Sequence, residues 1–153
     1  MNWQHTQTSG VSLHDCRATS MHVTDNHIEF IFEDGFLVLA DNEHNPHGKV
    51  CRSNVASLVI REYDLESIYI FRNFHMFGRR ILTVRRSIDL NRLAEMLNSG
   101  KRQLEFITTY ISDFTVLCTC EIWSDRKPYH RECLFETVYE SIEYNWNATA
   151  DNQ

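Results

Sequence analysis

Apolar residues recur at every second position over most of this chain. In residues 114–122, for example, every even-numbered residue is apolar, while Thr115, Thr119 and Glu121 lie between them. This period is typical of a β-strand with one buried face. The same alternation occurs in residues 27–40, 67–74, 81–84 and 104–109. The sequence therefore predicts a mainly β fold, an antiparallel β-sandwich or partly open barrel of about eight strands.

Two of these runs are expected to form hairpins. Asp34 and Gly35 separate the apolar runs 28–32 and 36–39, and Asp-Gly suits the positive φ angles of a tight turn. Residues 75–78 lie between the runs 67–74 and 81–84. We expect strands 28–32 and 36–39 to pair with each other, and strands 67–74 and 81–84 to do the same.

One segment has a helical period instead. Apolar residues occur at positions 88, 90, 93, 94, 96 and 97, with polar residues between them. Ser87 is a suitable N-cap, and Asn98-Ser99-Gly100 is a C-terminal stop signal. We predict one α-helix over about 88–98. Because so short a helix is marginal alone, its apolar stripe should pack on a sheet, covering an edge or end.

Composition and length fit one globular domain. The 153 residues are 42% hydrophobic and 12% aromatic, with 5 Gly and 2 Pro, which excludes disordered and collagen-like chains. We expect a single domain over 1–153, with 1–11 and 147–153 frayed. The N-terminus is polar and no apolar run approaches the roughly 18 residues of a membrane span. We therefore expect a cytoplasmic protein with five reduced cysteines and no membrane contact.

Charge is unevenly distributed along the chain. Residues 1–71 hold four basic and ten acidic residues (−6), residues 72–102 hold eight basic and two acidic (+6), and residues 103–153 hold three basic and nine acidic (−6), which gives the total of −6. The basic segment 72–102 contains the second predicted hairpin and the helix. We call Arg79, Arg80, Arg85 and Arg86 the four hairpin arginines.

Three interpretations of the four hairpin arginines are open. They could form ion pairs across strands with acids such as Glu105 or Glu121, which would give a surface of mixed charge. The basic hairpin of one copy could instead meet an acidic strand of another copy. Finally, they could contact phosphates, with Phe74 and Phe77 available for stacking. Nucleic acid is disfavoured because the acidic total repels polyanions and no nucleic-acid-binding signature occurs.

Several thiols and imidazoles are candidate ligands. In a strand over residues 12–23, His14 and Cys16 would share one face and Asp15 the other. His130 and Cys133 could complete a four-ligand metal set with His14 and Cys16, or a Cys-His pair could supply a thiolate nucleophile. The alternative is that Cys16 is a buried apolar group beside a hydrogen-bonded His14.

The remaining side chains favour plain structural roles. Cys118 and Cys120 fit core packing, because same-face residues of a strand are too far apart for an unstrained disulfide. His44 and His47 lie in a polar loop and are expected to be solvated. The sequence contains no phosphate-binding glycine loop, nucleophile elbow or His-Glu-x-x-His motif. Enzymatic activity is therefore left open, and no cofactor is expected.

Two stretches carry a resemblance. The run 13–19, Leu-His-Asp-Cys-Arg-Ala-Thr, and the run 28–36, Ile-Glu-Phe-Ile-Phe-Glu-Asp-Gly-Phe, look like the opening of a family of small, β-rich bacterial proteins. The likeness covers residues 13–39 only. It implies a bacterial origin and a β fold that begins with a hairpin, and it carries over no functional residue.

The hypothesis that these observations favour is a non-catalytic binding module. It would contact a second copy of itself or an acidic protein partner through the basic hairpin–helix segment, using Arg79, Arg80, Arg85 and Arg86. One alternative is a small-ligand or metal site in a barrel, possibly catalytic, formed by His14, Cys16, His130 and Cys133. Another is an immunity-type protein that neutralises a toxin, which the small size and acidic charge would suit.

Overall fold

The computed structural model describes residues 4–6 and 10–147, and the side chains of these except 4–6, 65 and 66. Its elements up to residue 61 are β1 (Gln4–Thr6), β2 (Val11–Ser12), β3 (Cys16–Ala18), β4 (Ser20–Val23), β5 (His27–Phe32), β6 (Leu37–Val38), β7 (Cys51–Arg52) and β8 (Ala56–Arg61). They are followed by β9 (Asp64–Met76), β10 (Arg79–Ser87), α1 (Leu90–Asn98), β11 (Arg102–Ile111), β12 (Thr115–Ser124), β13 (His130–Val138) and β14 (Ser141–Trp146).

Two open antiparallel sheets pack face to face, which confirms the predicted mainly β fold. One has the strand order β1-β14-β8-β5-β4 and the other β10-β9-β13-β12-β11-β3, while β2, β6 and β7 form a third, small sheet. The core lies between the two larger sheets. Phe30 of β5 contacts Phe106 of β11 and Phe135 of β13 edge-on, with ring centroids 5.4 and 5.6 Å apart. Eight strands are six residues or longer, and the others have two to four residues.

The first predicted hairpin is wrong, although its turn is present. Gly35 has φ +67° and its N–H donates to the carbonyl of Phe32 at 3.1 Å. Beyond the turn, β6 pairs with β2 and β7, whereas β5 pairs with β4 and β8. Gly35 lies so close to the main chain of Ser53 and Asn54 that a side chain there would clash. This packing against a distant segment leads the chain away from β5.

The second predicted hairpin is confirmed. β9 and β10 pair antiparallel from Met76 opposite Arg79 to Tyr69 opposite Ser87, with a bulge between Arg80 and Leu82. Phe77 and Gly78 form the two-residue loop, with φ angles of +49° and +74°. Two consecutive positive φ angles characterise the type I′ turn, whose twist matches that of the two strands.

The helix is confirmed, but its N-cap is not the predicted Ser87. Ser87 belongs to β10, and Asp89 caps α1 by accepting a hydrogen bond from the main-chain N–H of Arg92 at 2.7 Å. The apolar stripe of α1 is buried against the sheets beside β4 and β11. α1 therefore packs at the edge strand β4 of the five-stranded sheet, and an edge was one of the two expected positions. In the described part of the chain no helix has the length and apolar character needed to cross a membrane.

The two segments expected to be frayed are only partly described. Gln4–Thr6 pair with β14, and Val11 pairs with Val38 of β6. Residues 1–3, 7–9 and 148–153 lie outside the described residues.

Candidate interaction surface

The β9–β10 hairpin extends beyond the packed part of the sandwich. β10 is the outermost strand of the six-stranded sheet, and all nine of its residues are exposed. Its second edge pairs with no other strand of the described chain. Such an edge presents a row of main-chain N–H and C=O groups without strand partners, which is a template for an added strand.

The side chains of the hairpin divide between the two faces of the sheet. Ile70 of β9 is buried, so it lies on the inner face of the sheet, the face that elsewhere covers the core. Every second residue along β9 from Ile70 lies on this same face. The register of β10 then places Leu82, Val84 and Arg86 on this inner face as well, and Thr83 and Arg85 on the outer face. Apolar and basic side chains thus share an inner surface that the opposite sheet does not cover.

Polar contacts order the outer face of the hairpin. Asn73 receives a hydrogen bond from Thr83 Oγ1 at 2.7 Å and donates to Glu132 at 3.3 Å. Arg80 approaches the same carboxylate at 3.5 Å, and the Arg85 guanidinium lies 4.3 Å from the centroid of the Tyr69 ring. These contacts hold two of the four hairpin arginines in place.

The inner face of the hairpin is apolar and basic. Leu82 and Val84 of β10 are 54% and 44% exposed, and Phe74 of β9 lies opposite Leu82. Among the described residues, Arg79 and Arg86 form no ion pair. Within the described part of the chain, this face therefore combines partly exposed apolar side chains with two arginines that form no ion pair.

The two acids named in the first interpretation do not pair with the four hairpin arginines, although Arg80 does pair across strands with another acid, Glu132. Glu105 lies 3.4 Å from Arg17 of β3, and Glu121 lies 3.2 Å from His130. Both acids belong to strands in the middle of the six-stranded sheet, and β13 and β9 separate them from β10. Of the four, Arg80 alone forms an ion pair with a described acid, Glu132. The sequence could not show which acids lie near these arginines, because the position of β10 at the sheet edge depends on the tertiary structure.

The tip of the hairpin is strained and apolar. Phe77 has a positive φ of 49° and is 96% exposed. A bulky residue is unfavourable in this region of φ, where a type I′ turn prefers Asn, Asp or Gly. Residues held in sparsely populated backbone regions cluster at functional sites. Phe77 therefore belongs with the exposed hairpin as a candidate contact residue.

A basic cleft that the sequence analysis did not find lies beside the C-terminal end of α1. It encloses about 440 Å³ between this end of the helix and the β12–β13 loop, and its floor includes Met96 and Ile122. Its charged lining consists of Lys101, Arg102, Arg126, Lys127, Arg131 and Asp125. Three of these cations come from outside the basic segment 72–102. Folding therefore extends the positive surface to residues whose own sequence segment is acidic.

The four candidate metal ligands do not converge. Cys16 and Cys133 lie in one row across the sheet, but Phe106 and Cys120 stand between them, so three strand spacings of about 14 Å in total separate the two strands. His14 is exposed in a turn and its Nδ1 lies 2.6 Å from the carbonyl oxygen of Ile107.

The residue between His14 and Cys16 explains why these two side chains do not share a face. Asp15 has a positive φ of 57°, so the chain turns there and the predicted strand over 12–23 is interrupted. His130 is exposed and stacks on Trp123 on the outer face. In the described ranges, no group of three or more His, Cys, Asp or Glu side chains could hold a metal ion.

The cysteines are buried thiols, and none of the five forms a disulfide. Burial raises the pKa of Cys118 and of Cys133 to about 12, and the pKa of Cys120 well above its usual value. Burial also raises the pKa of Cys16, and nearby Arg52 opposes this shift. Since the thiolate is the reactive form, these four groups are poor nucleophiles and metal ligands in the folded protein. Cys118 and Cys120 have the predicted core role.

Comparison with known proteins identified no relative of this chain. No family model, no curated protein and no solved structure matches the chain.

Proposed function

We propose that this protein is a non-catalytic interaction module whose contact surface is the β9–β10 hairpin. The observation that carries the proposal is the complete exposure of β10, an edge strand whose nine residues include the four hairpin arginines. Leaving Leu82, Val84 and Phe77 in water adds nothing to the stability of the chain, whereas a partner that covers them gains by burying them.

The composition of the hairpin favours a protein as the partner. All five cations of β9 and β10 are arginines, and exposed apolar side chains lie between them. Arginine and aromatic residues are enriched at protein interfaces, whereas lysine is depleted there. Nucleic-acid surfaces rely on phosphate contacts from lysine and arginine alike, and the net charge of −6 opposes them. An acidic protein surface complements the hairpin best.

The thiols support a reducing compartment for this interaction. Five buried cysteines without a disulfide are typical of cytosolic proteins. The proposal therefore includes the cytoplasm as the compartment in which the module meets its partner.

Photo-cross-linking in the organism of origin tests the contact surface. A benzophenone amino acid replaces Leu82 on the hairpin, and in a matched variant it replaces Tyr110, an exposed aromatic residue at the other end of the six-stranded sheet. We expect a discrete adduct from position 82 and none from position 110. The variant Arg79→Glu/Arg80→Glu should lose the adduct, because reversing two charges opposes an acidic partner.

The control variant Lys49→Glu/Lys101→Glu changes the total charge by the same amount at two exposed residues outside the β9–β10 hairpin, and should keep the adduct. The mass of the adduct shows whether the partner is a second copy or another protein. Absence of an adduct at position 82, or equal adducts at positions 82 and 110, contradicts the proposal.

A further inference from the structure

The charges of β10 have a symmetric spacing. Two arginine pairs, Arg79-Arg80 and Arg85-Arg86, enclose the apolar-rich run Ile-Leu-Thr-Val of residues 81–84. β10 contains no acidic residue. One arginine pair lies at each end of the strand. Because neighbouring residues point to opposite faces, each pair contributes one guanidinium to each face of the sheet. The free edge therefore has a positive charge at both ends and on both faces, with an uncharged centre.

This spacing opposes the addition of a second copy of β10. Any antiparallel pairing of β10 with itself brings together two strands that each carry four arginines and no acidic residue. Like charges directly opposite each other destabilise a strand pair. Pairing of β10 with a second copy of itself is thus disfavoured.

The same arginines favour pairing of β10 with a strand of different sequence. Positive side chains and a bulge are devices that keep native sheet edges from pairing indiscriminately, and β10 has both. A segment with acidic residues opposite the two arginine pairs converts this repulsion into attraction. Its main chain would also satisfy the free N–H and C=O groups of β10, as in other complexes formed by strand addition.

We propose that β10 binds an extended acidic segment of another protein, which adds as a seventh strand to the six-stranded sheet. The segment has two acidic pairs separated by four residues that are mainly β-branched or apolar. This inference rests on the proposed function and specifies its partner. The acidic pairs face the four hairpin arginines, and the apolar residues between them cover Leu82 and Val84 on the inner face.

A synthetic peptide tests the proposal without knowledge of the natural partner. The probe is fluorescein-labelled Glu-Glu-Val-Thr-Val-Thr-Glu-Glu, and its binding to the full chain is measured by fluorescence anisotropy. We expect saturable binding that weakens about tenfold or more in Arg79→Glu/Arg86→Glu, since these two arginines lack an ion pair within the described chain. The control Lys49→Glu/Lys101→Glu should bind as the unaltered protein does.

Two further measurements separate strand addition from attraction between charges. A peptide of the same sequence with alternate main-chain amides methylated keeps its charge and loses the strand hydrogen bonds, so it should not bind. Hydrogen exchange should slow at alternate amides of residues 82–87 when the unmethylated peptide is bound. A peptide with Lys in place of Glu should bind only to a variant in which all four hairpin arginines are changed to Glu.

Equal binding of the methylated and unmethylated peptides overturns strand addition, as does unchanged hydrogen exchange in β10. Failure of the acidic peptide to bind at all also overturns it, and the arginines then serve only to keep the edge unpaired. Either result leaves the proposed function standing if the adduct at position 82 forms. Loss of that adduct is the separate result that removes the proposed function.

Discussion

The side-chain amide of Asn98 pairs with the main chain of Met21 as a neighbouring strand would. Met21 N–H donates to Asn98 Oδ1 at 2.9 Å, and Asn98 Nδ2 donates to the carbonyl of Met21 at 2.8 Å. Met21 belongs to β4, the last strand of the five-stranded sheet, and Asn98 is the last residue of α1. The helix thus satisfies main-chain groups at one sheet edge, whereas the edge of β10 has no such cover within the described chain.

Replacing Asn98 should therefore destabilise the fold. We expect Asn98→Ala to lower the free energy of unfolding by about 1–3 kcal/mol, because both main-chain groups of the buried Met21 lose their partner. Urea denaturation measures the change. Asn91→Ala on the exposed face of the same helix is the control, since it makes the same change in helix propensity without losing a hydrogen bond. Equal effects of the two substitutions would show that the amide pair contributes nothing.

The N-cap of α1 gives a second prediction. Asp89→Ala should cost about 1 kcal/mol of stability, because the Arg92 N–H at the first turn loses its acceptor. Ser87→Ala should change stability by less than about 0.5 kcal/mol, since Ser87 is an exposed residue of β10. Thermal denaturation of both variants compares the two candidate caps. A larger loss for Ser87→Ala would contradict the cap seen in the structure.

The buried thiols should make stability depend on pH in the alkaline range. Cys118 and Cys133 have a pKa of about 12 in the folded protein, against 9.0 for an unperturbed thiol. Above pH 9 the unfolded chain releases these protons and the folded chain keeps them. The free energy of unfolding should therefore be unaffected by them below pH 9 and fall as pH rises towards 12, by up to about 1.4 kcal/mol per pH unit for each thiol.

Urea denaturation under reducing conditions, at pH values from about 8 to 11, tests this dependence. The double variant Cys118→Ala/Cys133→Ala should show a shallower decline, whatever its stability at neutral pH. Part of the decline should remain, because burial raises the pKa of Tyr144 in the same direction. An unchanged slope in the double variant would mean that the two thiols ionise equally in the folded and unfolded chains.

The tip of the hairpin should show opposite effects on stability and binding. Phe77→Asn should raise the free energy of unfolding by about 1 kcal/mol, because Asn tolerates the positive φ of a type I′ turn better than Phe. The same substitution should weaken the cross-linked adduct from position 82 if Phe77 contacts the partner. Differential scanning calorimetry and the cross-linking yield check the two effects. A lowered midpoint of unfolding would contradict the strain.

The prediction of individual elements succeeded where a local pattern sufficed. Alternation over 114–122 identified β12 and placed Cys118 and Cys120 on its buried face. The shift to a helical period identified α1. One failure concerns pairing, since the turn at Gly35 led to a prediction of β5 beside β6. A turn signal shows where the chain reverses but not which strand it meets next.

The sequence by itself determined the period of β12 and of α1, the faces that these two elements bury, and the basic character of residues 72–102. These properties depend on the few residues that lie next to one another in a strand or helix turn. Only the tertiary structure decided that β10 is a sheet edge, that Cys16 and Cys133 stay apart, and that Asn98 meets Met21. Such contacts join residues that are distant in the chain, and they depend on how all the apolar faces are buried together.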